Sequence, residues 1–271
     1  MDILNEIVVR KKEEIAQRKK LFPLAVLQQS IFYQTKCMSM VSYIKRSDKS
    51  GIIAEFKRKS PSQSAINLYA KVEDVTIGYM QAGASGLSIL TDEHFFGGKN
   101  EDLRIARKFN FCPILRKDFI IDIYQIHEAK SIGADAILLI AEILNKEQVV
   151  EFAQLAKSMS LEVIIEVHSA DQLGKLNDYI DIIGVNNRNL VDFTVDINTS
   201  IEMIKHIPSD KIKISESGIS NIENILTLKK AGYDGFLIGQ HFMETANPSK
   251  KCRQFIKELT TTHQENIIVN P

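Results

Sequence analysis

From about residue 50 onward, short runs of Ile, Leu and Val alternate with stretches in which apolar residues recur three and four positions apart. The first pattern suits strands buried on both faces and the second suits amphipathic helices, so the alternation predicts a parallel sheet covered by helices. Eight runs fit the strand pattern: "GIIAEFK", "GLSILT", "CPILRKD", "DAILLIA", "LEVIIEV", "DIIGVNN", "KIKISES" and "DGFLIGQ". Helical patterns such as "LYAKVEDVTIGYMQAG" and "NIENILTLKKAG" lie between them. Gly83, Gly133 and Gly232 each stand just before a strand, where a left-handed helix C-cap and a short turn into the strand are expected. Eight βα units with no internal linker predict a closed (βα)8 TIM barrel instead of a doubly wound sheet. The chain 1–271 reads as one domain, a barrel over about 51–262 behind an N-terminal helical extension over 1–50. That extension carries two helical patterns, about 2–20 and 38–46, separated around "LFPLA". It fits either a plug at the bottom of the barrel or a cover near its mouth. The tail "TTTHQENIIVNP" is expected to fray.

Composition narrows the function classes. Lys plus Arg and Asp plus Glu are 34 each, so no global charge points to nucleic acid or an anionic membrane, and an anion would need a local site. The start "MDILNEIVVRKKEEIAQRKK" is charged and amphipathic, and no apolar run approaches the roughly 18 to 20 residues that span a bilayer. A cytoplasmic protein is expected. Cys37, Cys112 and Cys252 are too scattered for a disulfide framework or a Cys-x-x-Cys site, and the six histidines form no metal-ligand spacing, so reduced thiols and no metal are expected. A monomer and a weak homodimer fit equally well.

Charge enters the strands in one place. Side chains alternate along a strand, so Ile53, Glu55 and Lys57 share a face, and burying Glu and Lys deep in a barrel would cost several kcal/mol each. The open C-terminal end of the strand is the cheaper position. Lys117, Glu166, Asn186 and Glu216 close their own strands in the same way, behind Leu115, Ile164, Gly184 and Ile214. The opposite ends begin with residues such as Gly51, Gly86, Cys112 and Leu161, so charge is expected to gather on the catalytic rim alone. Lysines among carboxylates suit proton transfer, since burial lowers a lysine pKa and raises that of a glutamate. A second constellation follows strands seven and eight: Ser217 and Gly218 ahead of a helix starting near Ser220, and Gly239 ahead of another. Glycine-rich loops at helix starts in those two positions predict a phosphate site.

The chain resembles the indole-3-glycerol-phosphate synthase family, through "ILNEIVVRKKEEIAQRK", "IIAEFKRKSPS", "ILRKDFIID", "GVNNRNL", "SESGI" and "FLIGQHFM". The resemblance implies ring closure, decarboxylation and dehydration of 1-(2-carboxyphenylamino)-1-deoxyribulose 5-phosphate in tryptophan biosynthesis, without cofactor or metal. It implies that Lys117 is the general acid, that Glu166 and Glu55 stabilise a cationic intermediate and accept a proton, and that Lys57 reaches the phosphate or assists dehydration. Asn186, Arg188 and Ser60 match substrate-holding positions, and Phe96, Phe119 and Leu190 match the pocket of the anthranilate ring. Glu216 matches the rear of the site, and Ser217, Gly218, Gly239 and Gln240 match the surroundings of the phosphate. Two departures stand out: Gln63 and Ser64 occupy places where the family usually has a glycine, and Gln240 stands where a small or acidic residue is common. Cys112 and His168 are expected to be structural. The alternatives are a lysine Schiff-base aldolase using Lys117 as nucleophile, and a phosphate sensor or scaffold, against which the full set of acids and bases argues.

Overall fold

The computed structural model describes residues 3–190 and 192–269, with side chains as far as Thr262. Its eight strands are β1 Ile52–Phe56, β2 Gly86–Leu90, β3 Ile114–Lys117, β4 Ala136–Ile140, β5 Glu162–Val167, β6 Ile182–Asn186, β7 Ile212–Glu216 and β8 Gly235–Ile238. They pair in parallel and in chain order, and β8 pairs back on β1, closing the expected barrel. Helices α1 Ile3–Leu21, α2 Leu24–Leu27 and α3 Met40–Ile44 precede it. The barrel helices are α4 Val72–Gln81, α5 Asn100–Phe109, α6 Ile123–Ser131, α7 Lys146–Ser158, α8 Asn198–Met203, α9 Ile222–Ala231, α10 Gln240–Met243 and α11 Pro248–Val269. One of the eight expected units differs: between β5 and β6 the crossover is a 3-10 helix, Ala170–Lys175, in the 14-residue segment 168–181. The tail expected to fray is helical as far as Val269, and Asn270 and Pro271 lie outside the described residues.

Strand parity separates two cores. Ile53, Leu115, Leu138, Ile164, Ile214 and Leu237 point inward and fill the barrel, while Ile52, Ala54, Phe56, Leu87 and Ile89 belong to the layer between strands and helices. Gly83, Gly133 and Gly232 have φ of 98°, 92° and 115°, the left-handed turn expected of them. The extension fills both positions that its sequence allowed. Met40 and Ile44 of α3 pack with Ile53 and Ile212 and plug the bottom, whereas Leu4 and Ile7 of α1 join the same apolar cluster from the mouth.

Charge is not confined to the catalytic rim, contrary to expectation. Asp135, Glu162, Asp181 and Asp234 stand at the N-terminal ends of strands. There Asp135 accepts from the Met38 and Ile114 N–H groups (2.8 Å each), Glu162 from Val41 N–H (3.0 Å), Asp181 from Val163 N–H and Asp234 from Lys213 N–H (2.8 Å each). These carboxylates satisfy backbone donors that no neighbouring strand can reach. Side chains reach three of these carboxylates as well: Arg107 pairs with Asp135, Lys157 Nζ lies 2.6 Å from Asp181, and Ser39 Oγ donates to Glu162.

A buried ionic network ties α1 to the mouth. Lys11, 2% exposed, lies 2.8 Å from Asp92 and 3.0 Å from Asp118, at the ends of β2 and β3. Arg116, 1% exposed, sits on the outer face of β3 and donates to Gln125 O (2.8 Å), Thr91 Oγ1 (3.1 Å), Asp118 (3.1 Å) and Glu128 (2.6 Å). Burial alone would raise the Asp118 pKa, but Lys11 and Arg116 hold it well below the usual carboxylate range.

Candidate active site

One cavity opens at the C-terminal ends of the strands, and all six polar residues expected at the rim line it: Glu55, Lys57, Lys117, Glu166, Asn186 and Glu216. Lys117 is its centre. The ammonium donates to Glu166 Oε2 and to Glu216 Oε2, both at 2.7 Å, and Asn186 Nδ2 donates to Glu166 Oε1 at 3.1 Å. On β1, Lys57 Nζ lies 2.8 Å from Glu55 Oε1, and Ser88 Oγ donates to Glu55 Oε2 at 3.4 Å. Gly184 and Gly239 make room for these carboxylates: a Cβ at Gly184 would collide with Glu216, and one at Gly239 would stand 2.5 Å from Glu55 Oε1.

The electrostatics correct one expectation and bear out another. Burial by itself lowers the Lys117 pKa, but Glu166, Glu216 and Glu55 outweigh it, so the amine is held charged well above its ordinary value. A Schiff-base nucleophile needs the opposite shift, and this site does not supply it. The carboxylates split. Burial pushes Glu216 up to about 7, and its Oε1 has no hydrogen-bond partner among the described residues. Burial also acts to raise Glu166, but Lys117, with the Asn186 hydrogen bond, brings it below the ordinary value.

Glu216 should leave a pH signature in stability. Its folded pKa lies above the ordinary 4.5, so its contribution is complete below that value and is lost as pH rises through about 7. Glu166, shifted the other way, acts in the acid window below 4.5. Glu216→Gln is expected to flatten the fall in urea midpoint between about pH 5 and pH 8. A variant that declines as steeply as the parent would assign the fall to another group.

The remaining expected residues converge on the same place. Phe96 and Phe119, with ring centroids 5.9 Å apart, and Leu190 form an apolar wall, and Ser60, Arg188, Ser217 and Gln240 line the same cavity. Gly218 and Gly239 line an adjoining pocket between the β7 and β8 loops, shared with Lys57, Arg188, Ser217 and Gln240. Ser217 and Gly218 both have left-handed backbone (φ 67° and 75°), and Asn187 Nδ2 holds that turn by donating to Ser217 O at 3.1 Å. The helix after β7 begins at Ile222 behind an Asn221 cap, and Gly239 caps the short α10.

Cys112 is buried, and burial pushes its thiol up to about 12, which agrees with a structural role. His168 stands nearer the chemistry than expected, with Nε2 3.5 Å from Glu166 Oε1. Sequence reasoning missed Asn187 and the cavity-lining Ile3, Leu4, Ile7 and Phe193. The amphipathic pattern of α1 was the available signal for three of them. Among the described residues no helix is long and apolar enough to cross a membrane.

Lysines and carboxylates on the C-terminal rim of a (βα)8 barrel, beside glycine turns after β7 and β8, define a phosphate-binding barrel enzyme. Residues 4–255 match the model of the indole-3-glycerol phosphate synthase family. An indole-3-glycerol phosphate synthase of Bacteroides thetaiotaomicron is 46% identical over 258 residues, covering 95% of this chain and 99% of that one. One of Campylobacter fetus is 41% identical over 242 residues, covering 89% and 94%. The chain belongs to the indole-3-glycerol phosphate synthase family. Its structure is also similar to a mutant tryptophan synthase alpha-subunit of Pyrococcus furiosus, with TM-score 0.60 and 14% identity over 79% of this chain and 99% of that one, a likeness of fold.

Proposed function

We propose that this chain closes the indole ring of indole-3-glycerol phosphate with Lys117 as general acid, and that its ammonium, held between two carboxylates, carries that reading. The substrate is 1-(2-carboxyphenylamino)-1-deoxyribulose 5-phosphate. The ring carbon bearing the carboxylate attacks the ribulose carbonyl carbon, and Lys117 protonates the carbonyl oxygen as it becomes a hydroxyl. The positive charge left on the ring and nitrogen faces Glu166 and Glu55, which stabilise it. Loss of carbon dioxide returns the bonding electrons to the ring. The hydroxyl then leaves as water, with Lys57 supplying the proton and a carboxylate, Glu55 or Glu166, taking one from the adjacent carbon.

Binding follows from the walls. The apolar surface of Phe96, Phe119 and Leu190 suits the anthranilate ring. Asn186, Arg188 and Ser60 suit hydroxyl and carboxylate groups, and Glu216 closes the rear of the cavity. The Ser217, Gly218, Gly239 and Gln240 segments, with Lys57 at their edge, suit the phosphate. We read the chain as a single domain because α1 and α3 both pack into the barrel's own core. A cytoplasmic monomer or weak homodimer rests on the sequence alone.

Purified protein given this substrate without added metal is expected to develop indole fluorescence. A sample that binds the substrate and forms no product would favour a sensor instead.

A further inference from the structure

Gln63 and Gln240, two of the positions at which the sequence departs from the pattern it resembles, touch each other. Gln63 lies in the loop after β1, in a turn fixed by reciprocal Ser60 and Gln63 backbone bonds of 2.9 and 3.0 Å. Gln240 opens α10 after β8. Gln240 Nε2 donates to Gln63 Oε1 at 3.0 Å, Arg188 Nη2 donates to Gln240 Oε1 at 3.3 Å, and Gln63 Nε2 donates to Ala65 O at 3.4 Å.

The direction of this relay is set by its ends. A guanidinium can only donate, so Gln240 must turn its oxygen to Arg188 and its amide N–H to Gln63. A backbone carbonyl can only accept, so Gln63 must turn its own N–H to Ala65 and its oxygen to Gln240. Each amide therefore has one orientation that satisfies both neighbours. The relay spans the loops after β1, β6 and β8, and Arg188 and Gln240 line both the ring-closure cavity and the pocket between the β7 and β8 loops. Arg188 is anchored a second time, by Nη1 donating to Phe193 O at 3.2 Å.

We propose that Gln63 is a positioning residue for the anionic groups of the substrate: through Gln240 it fixes the Arg188 guanidinium and the start of α10 before substrate arrives. This rests on the placement of Arg188 and Gln240 against those groups given above. A long side chain held in its bound rotamer loses less entropy on binding, so the effect falls on affinity more than on the chemical step.

The test uses the full chain, with inorganic phosphate as a competitive inhibitor. Gln63→Met keeps the volume and removes both hydrogen bonds. It is expected to raise the phosphate inhibition constant and KM about fivefold while kcat stays within about twofold, the scale of one net hydrogen bond. Gln240→Met should weaken phosphate at least as much, and the double variant no more than Gln240→Met alone, because the two share one relay. Ser64→Ala, next door and outside the relay, should change neither constant. Additive effects, or a phosphate constant within about twofold of the parent in Gln63→Met, would overturn the proposal. Failure of phosphate to inhibit the unaltered enzyme would instead remove the placement of the phosphate, and the proposal with it.

Discussion

Lys117→Ala is expected to lower kcat by about two to four orders of magnitude, the range that a positioned general acid supplies, while KM changes far less. The reason is where the proton goes. In the resting site the ammonium donates to Glu166 and Glu216 at 2.7 Å each, and its third N–H is left to meet the substrate carbonyl oxygen. That contact is worth most when negative charge builds on the oxygen, so the loss falls on the transition state. The variant also leaves two carboxylates facing each other without their cation, so a proton shared between them is expected to appear as a new step in the pH profile. Single-turnover measurements separate this from slow product release. An unchanged single-turnover rate would remove Lys117 from the chemistry.

Arg116→Met is expected to act on the opposite quantity. Arg116 is the neighbour of Lys117 on the same strand, but it points outward and is buried among Glu128, Asp118, Thr91 and Gln125 O. Its removal takes one of two cations from each of two buried carboxylates, leaving Glu128 with Arg18 and Asp118 with Lys11. A broken buried pair of this kind costs about 3–5 kcal/mol, which denaturant titration should register as a large fall in midpoint with little change of slope. Arg116→Lys should recover only part of it, because an ammonium cannot reproduce the planar fork that donates to Thr91, Gln125 O, Asn100, Asp118 and Glu128. What remains folded should retain much of its kcat, since Arg116 does not line the cavity. A loss below about 1 kcal/mol would show that the network contributes little to stability.

The adjacent pair shows how far the sequence carries. In "ILRKD" the alternation of faces sends Leu115 and Lys117 inward and Arg116 outward, and that much is legible without coordinates. The same rule located Glu55, Glu166, Asn186 and Glu216 at the mouth, because each ends an inward-facing series. It could not say that Arg116 would be fully buried, since a strand's outer face is covered by helices whose side chains come from elsewhere in the chain. It also gave a false contrast between the rims. Asp135, Glu162, Asp181 and Asp234 stand at the bottom, where each accepts from a backbone N–H and three also meet a side chain from elsewhere in the chain, Arg107, Ser39 or Lys157, none of which strand periodicity reveals.

By itself the sequence determined the eight-stranded barrel, the inward parity of the rim residues and the loops suited to phosphate. All three follow from short-range periodicity and from the chirality that closes successive βα units in one direction. Tertiary structure alone decided that α1 covers the mouth while α3 plugs the bottom, and that Lys117 stays charged while Glu216 rises to about 7. It alone brought Gln63 to Gln240 across a separation of 177 residues. Burial and Coulomb energies depend on distances between residues far apart in the chain, and periodicity reports only the direction in which each side chain leaves its own backbone.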